Sequence, residues 1–348
     1  MIILLALVLV IAMAAVSSAR DRKRKRIALS RAETIAERKL LNMRFPLMHM
    51  AVAGSTALRY RKAVMDFMEW TGGACAIDEY SFDSLLVEYF NDRYMDGHGY
   101  TLAKMTLAAI GHFLPELKHF VPLARRCAKA WSKSSPTESH PPITWDLTIA
   151  IGVLLARRGK KRHGVGMLLA HDTMLRVNEL CGLRQDDVMD GLLTDGRLGG
   201  EYKEKGRIVI RLRKTKTGDN KSVEVIDEGV KTLLRQLVGL TPRGGRLFPF
   251  TADSFRRAMH GACTALGLSK HYVPHSLRHG GACRFHFILG WSFDDTMARG
   301  RWDVSSSTRG YLQHLRAIAG AFEVPSRVAT IAAAMLGCYV DAFNIITW

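Results

Sequence analysis

Apolar residues return at helical spacing from about Ser55 to Trp131 and predict four helices in that stretch. Ser55 is placed to cap the first, which carries Tyr60, Val64, Phe67 and Met68 on one side. Ser81 is placed to cap the second, built on Leu85, Leu86, Tyr89 and Phe90; Thr101 opens the third, around Met105, Ile110, Phe113 and Leu114; Val121 to Trp131 forms the fourth. The run Ser132 to Pro142 is polar, bears prolines and lacks any apolar period, which predicts an extended linker. Beyond Thr144 the pattern is helical again to about Val188. From Arg207 to Arg213, Ile208, Ile210 and Leu212 alternate with polar or basic residues, as a strand requires. Gly218, Asp219 and Asn220 supply a turn and Ser222 to Ile226 the returning strand. Helical patterns resume over Lys231–Val238 and Ala252–Leu266 and through the C-terminal third, where Val328 to Val340 reads as a core helix. No repeat interrupts this order. The pattern predicts a mainly α chain with a small β-sheet, divided into two lobes.

Composition adds a partner. The chain has 348 residues, 48% of them hydrophobic, enough for two cores, and its net charge of +18 implies a polyanion such as nucleic acid or an anionic membrane. Six cysteines are scattered without Cys-x-x-Cys pairs, which fits a reducing compartment. Met1 to Val16 is wholly apolar, and Arg20, Arg22, Lys23, Arg24, Lys25 and Arg26 follow it. That flank is the reverse of a secretory signal. It leaves open a membrane anchor with its basic side in the cytoplasm, or a start assigned upstream of the working N-terminus. The basic cluster also reads as a nuclear localisation signal or a nucleic-acid contact.

Three segments of the second lobe carry chemistry. Arg176 lies in a strongly apolar stretch, where a guanidinium needs an anion, either a structural carboxylate such as Glu179 or a substrate. His275 and Arg278 in His-Ser-Leu-Arg-His-Gly-Gly-Ala stand one helical turn apart, so both can face one phosphate. Trp302 precedes Tyr311 by nine residues. His271, His275 and His279 recur every four residues, but Pro274 breaks the helix and no Glu completes a zinc-protease pattern, so no metal or other cofactor is expected.

In order and spacing these boxes resemble the catalytic domain of tyrosine recombinases and phage-type integrases. The resemblance runs from roughly Ser55 to Arg316. Arg176 with Glu179 and Leu180 matches the first arginine box, His275 and Arg278 the His-x-x-Arg box, and Tyr311 the nucleophile. Trp302 stands where most members have a second histidine and some have tryptophan. His279 and Glu179 are expected as supporting residues. The family lysine sits on a β-hairpin, which points to Lys216 in Lys-Thr-Gly, with Lys214 as the substitute. The resemblance implies a helical, SAM-like core-binding domain followed by a mixed α+β catalytic domain, together encircling double-stranded DNA. It also implies strand exchange through a 3′-phosphotyrosyl intermediate. The expected divisions are a hydrophobic segment 1–19, a basic arm 20–50, the DNA clamp 51–131, a linker 132–143, the catalytic domain 144–318 and a tail 319–348, a candidate for docking on a neighbouring protomer. Assembly would then be a tetramer on two DNA sites.

Two features depart from the family pattern. Thr173-Met-Leu-Arg176 replaces the common Thr-Gly-Leu-Arg, so a different local bend is expected, and the Gly-rich stretch Asp190 to Gly200 lengthens the interval before the lysine. Trp302 and the Ser-Leu-Arg-His-Gly-Gly-Ala form look more like recombinases of eukaryotic mobile elements, DIRS-type or crypton-type, for which the nucleus is the expected compartment. The competing class is a recombinase-derived DNA-binding protein that no longer cuts.

Overall fold

The structure is a computed structural model. It describes residues 52, 54–72, 79–135, 140–191, 206–215, 218–268 and 272–346, with the backbone alone for 79, 214, 215 and 218–220. The chain separates into two units, residues 1–138 and 139–348.

The first unit is helical: α1 (Gly54–Thr71), α2 (Glu79–Met95), α3 (Thr101–Phe113) and α4 (Pro122–Ser134). Phe67, Phe82, Leu86, Tyr89, Phe90, Ile110 and Trp131 fill its core, with Phe67, Tyr89 and Trp70 in edge or tilted ring contact. The buried Asp83 carboxylate accepts from the backbone N–H groups of Leu123 and Ala124, each at 2.8 Å, and so closes the start of α4 from a different helix. Ser55 and Ser81 are not caps, because α1 already begins at Gly54 and α2 at Glu79. The extended stretch expected from Ser132 also starts later: α4 continues through Ser134, whose hydroxyl donates back to the Ala130 carbonyl.

The second unit opens with α5 (Trp145–Arg157), α6 (Lys161–Asp172) and α7 (Val177–Gly182), which divide the helical stretch predicted after Thr144. The breaks fall at residues with positive φ, Gly159 and Met174. A short strand the pattern did not reveal, β1 (Val188–Asp190), pairs antiparallel with β2 (Ile208–Thr215), which pairs in turn with β3 (Gly218–Val225). Gly218, Asp219 and Asn220 therefore lie in β3 rather than in the turn. The reversal falls between Thr215 and Gly218, which are register partners. Helices α8 (Glu228–Gly239), α9 (Ala252–Ala265), α10 (Pro274–Cys283), α11 (Phe293–Gly300), α12 (Ser305–Tyr311) and α13 (His314–Phe322) follow. The single helix predicted over Val328–Val340 is two, α14 (Ser326–Met335) and α15 (Tyr339–Asn344). Both bury side chains, Val328, Tyr339 and Phe343, in the main core of this unit. No helix among the described residues is long and apolar enough to cross a membrane; Met1 to Val16 lies outside them.

Helix α10 is seated by its glycines. A Cβ at Gly280 would overlap the Ile143 carbonyl and crowd His171, and one at Gly281 would overlap the His171 carbonyl. The backbone of α10 is thus pressed against α6, with nothing flexible to yield.

Gly280→Ala should therefore destabilise the second unit by about 3 kcal/mol. Gly261→Ala, inside α9 with open space around it, should stabilise it by up to about 1 kcal/mol. Equilibrium urea unfolding of both variants checks the contrast, and equal midpoints would contradict it.

Candidate active site

Pro274 occupies the first turn of α10, where its missing N–H is not needed, and starts the helix that carries His275, Arg278 and His279. Arg278 has no exposed surface. Its two terminal nitrogens donate to the carbonyls of Met174 and Gly300, and its guanidinium lies 4.7 Å from the centre of the Trp302 ring and 5.4 Å from that of Tyr311. Burial, then the nearby Arg301 and Arg176, pulls its pKa down to about 10. The Nε N–H has no hydrogen-bond partner.

Arg176 precedes α7 and pairs with Glu179 at 2.8 Å, while its backbone N–H donates to the same carboxylate at 3.0 Å. The second oxygen of Glu179 also receives Arg301, at 3.2 Å. Burial alone would raise the pKa of Glu179, but the Arg176 N–H and the two guanidinium groups outweigh it and hold the carboxyl below its ordinary value. Met174 has a positive φ of 51°, left-handed backbone that costs a non-glycine residue roughly 1–2 kcal/mol.

Tyr311 ends α12 with its hydroxyl 2.9 Å from Nε2 of His275. Its ring is in tilted contact with His279 and Trp302, both at 4.5 Å between centroids. His275 is at the surface. Partial desolvation, with Arg278, His140 and Arg176 nearby, holds its pKa down to about 4, and burial and His275 bring His279 to about 4. Both imidazoles are neutral near pH 7, so His275 can accept the phenol proton. Trp302 is buried with its indole N–H unpartnered.

His275, Arg278, Trp302 and Tyr311 are joined by these contacts with His279 packed among them, and Arg176 and Glu179 form a pair that reaches them through Arg301 and the Met174 carbonyl. Lys216 and His271 lie outside the described residues, and Lys214 is described only as a backbone position of β2 paired with Asp219. Arg213 is tied to the buried Asp187 at 2.6 Å. Sequence reasoning missed Arg301, which adjoins Trp302, and His140, whose ring meets His275 edge-on at 6.3 Å. Both are single residues without a periodic signal. No group of three or more possible metal ligands occurs among the described residues.

No protein-family model and no curated protein matches the chain. Solved structures do. The Tn1549 transposon integrase in complex with transposon right-end DNA superposes with a TM-score of 0.56 at 16% identity, over 80% of this chain and 95% of that one. A lambda integrase dimer bound to a COC′ core site gives 0.56 at 16%, over 82% and 95%. The chain thus shares the fold of these tyrosine recombinases, mainly helical with a small antiparallel sheet.

Two predictions follow from the site's geometry and charge. Met174→Gly and Met174→Ala lose nearly the same side chain, but only glycine is relaxed at φ 51°, so the glycine variant should be the more stable by about 1–2 kcal/mol. Equal urea midpoints would remove the strain argument. His171, held to about 3 by complete burial, joins His275 and His279 in binding a proton less readily folded than unfolded. Their effect on stability is therefore absent above about pH 6.5 and increasingly unfavourable as pH falls toward 4. NMR titration of the three imidazoles should find them neutral at pH 5.5; an imidazole still mostly protonated at about pH 7 would contradict the sign.

Proposed function

We propose that this chain breaks and rejoins double-stranded DNA at specific sites, as an integrase or recombinase acting through a 3′-phosphotyrosyl intermediate on Tyr311. The observation that carries the reading is the Tyr311–His275 hydrogen bond of 2.9 Å, set against a wholly buried arginine. A neutral imidazole accepts the phenol proton as Oη attacks phosphorus. The bond from phosphorus to the 5′ oxygen breaks, and Lys216, or Lys214 in its place, protonates the leaving oxygen. Arg176, partly exposed, faces the charge gathering on the non-bridging oxygens, Arg278 adds positive potential from behind the Trp302 and Tyr311 rings with its terminal nitrogens held by backbone carbonyls, and Trp302 packs the site or donates its indole N–H.

The phosphotyrosyl ester retains the energy of the broken linkage, so a 5′ hydroxyl can reverse the step on a new strand without a nucleotide cofactor. Exchange between two duplexes cuts four strands, which calls for four copies of Tyr311 and a tetramer on two sites. The net charge of +18 supports a DNA partner, as do the DNA complexes of the two integrases of like fold. Trp302 and the Ser-Leu-Arg-His-Gly-Gly-Ala form favour a eukaryotic mobile element as the source, and the basic run from Arg22 to Arg26 would then direct the protein to the nucleus.

The test incubates the chain with nicked duplexes taken from the sequence flanking its reading frame. An SDS-resistant protein–DNA adduct is expected, and it should vanish in Tyr311→Phe. An adduct that survives the substitution would remove Tyr311 from its role. Salt-sensitive binding with no adduct on any flank would favour the non-cutting DNA-binding protein.

A further inference from the structure

Met174 and Arg301 are the two non-glycine residues with positive φ among the described residues, at 51° and 55°. They are hydrogen-bonded to each other, Arg301 donating to the Met174 carbonyl at 2.9 Å. Strain of this kind persists only where the surroundings over-determine it, and it gathers at functional sites. Arg301 is almost wholly buried, which is costly for a guanidinium unless its donors are used. Its two terminal nitrogens donate to the Thr173 carbonyl at 3.2 Å, the Arg299 carbonyl at 3.1 Å, the Met174 carbonyl and the Glu179 carboxylate at 3.2 Å, while its Nε N–H has no partner.

Two of those acceptors are shared with the two other arginines of the proposed site. The Met174 carbonyl also receives Arg278. The Glu179 carboxylate also receives Arg176. Arg301 thus joins the two arginines through one acceptor each, in the order Arg176, Glu179, Arg301, Met174, Arg278. It also draws on the charge of Glu179, which would otherwise bind Arg176 alone and compete with a phosphate for it.

We infer that Arg301 is a positioning residue, a third arginine that holds the partly exposed Arg176 guanidinium in register with the buried Arg278 for one phosphodiester, without touching it. The inference rests on the recombinase reading for its substrate. The planar fork is essential to the role: lysine would keep the charge but could not span the four acceptors.

The experiment measures single-turnover adduct formation at saturating nicked duplex for the parent chain, Arg301→Lys and Arg301→Gly. The glycine variant keeps the left-handed turn unstrained, so it guards against loss of folding. Both variants should slow by about 100-fold, with DNA affinity within about twofold of the parent because most phosphate contacts lie elsewhere. A scissile linkage with a methyl group in place of one non-bridging oxygen should not restore either variant. Restoration would make Arg301 a direct phosphate ligand and overturn the positioning role, as would Arg301→Lys at the parent rate.

Binding of inorganic phosphate, followed by 31P NMR, separates this inference from the reading beneath it. If the parent forms no adduct yet Arg301→Gly and Arg301→Lys both weaken phosphate binding about tenfold, the recombinase reading fails and the positioning role stands. Unchanged phosphate binding in both variants would overturn the role whatever the parent does.

Discussion

The burial of the Arg278 guanidinium is the constraint on which the second unit is organised. An unpaired cation in that position would be destabilising by several kcal/mol, and the chain answers by turning two backbone carbonyls inward, from Met174 and Gly300. Those carbonyls belong to the turn that precedes α7 and to the last residue of α11, so one side chain on α10 fixes three segments distant in sequence. Close packing of α10 on α6 sets where that side chain emerges. The Trp302 and Tyr311 rings then cover it, which places the phenol beside His275 at the surface.

Electrostatics follow from the same arrangement. Arg176, Arg278 and Arg301 gather around one carboxylate, Glu179, which leaves the site with an excess of positive charge and a preference for an anion. That field, with desolvation, keeps His275 and His279 from protonating. A second centre lies behind it, where the buried Asp172 carboxylate accepts from the Ile226 N–H at 2.9 Å and stands 3.5 Å from Arg299 and 3.6 Å from Arg284. Arg284 also meets Asp227, which caps α8 and receives the Tyr339 hydroxyl. The hairpin end, the continuation of α10 and the last helix are thus tied through two carboxylates.

Much of this was legible in the sequence where a period or a spacing carried it. Four helices in the first unit, the strand pair at Ile208 and Ser222, and the Arg176–Glu179 pairing at i, i+3 all have local signals. Strand β1 has three residues, too few for an alternation to register. The depth of Arg278 was hidden, because an arginine one helical turn from His275 reads as facing a phosphate, and its carbonyl partners come from tertiary structure. Arg301 was hidden for a related reason: among 50 lysines and arginines, one more beside Trp302 carries no mark of burial. Ser81 misled because a capping residue is equally at home inside the first turn of a helix already begun.

The left-handed backbone at Met174 and Arg301 has a bearing on how such a chain can drift. A side chain branched at Cβ is a genuine outlier at positive φ, so valine, isoleucine and threonine are closed to both positions, while glycine is open to each on backbone grounds. At 174 the carbonyl rather than the side chain meets the arginines, but the side chain is wholly buried with Ala282, Phe285 and Trp302, so glycine there relaxes the backbone at the cost of a core contact. At 301 the same freedom of backbone is offset by four lost donor bonds. Glycine is thus open to both turns by conformation and opposed at both by what it would remove, a core side chain at 174 and a hub of hydrogen bonds at 301.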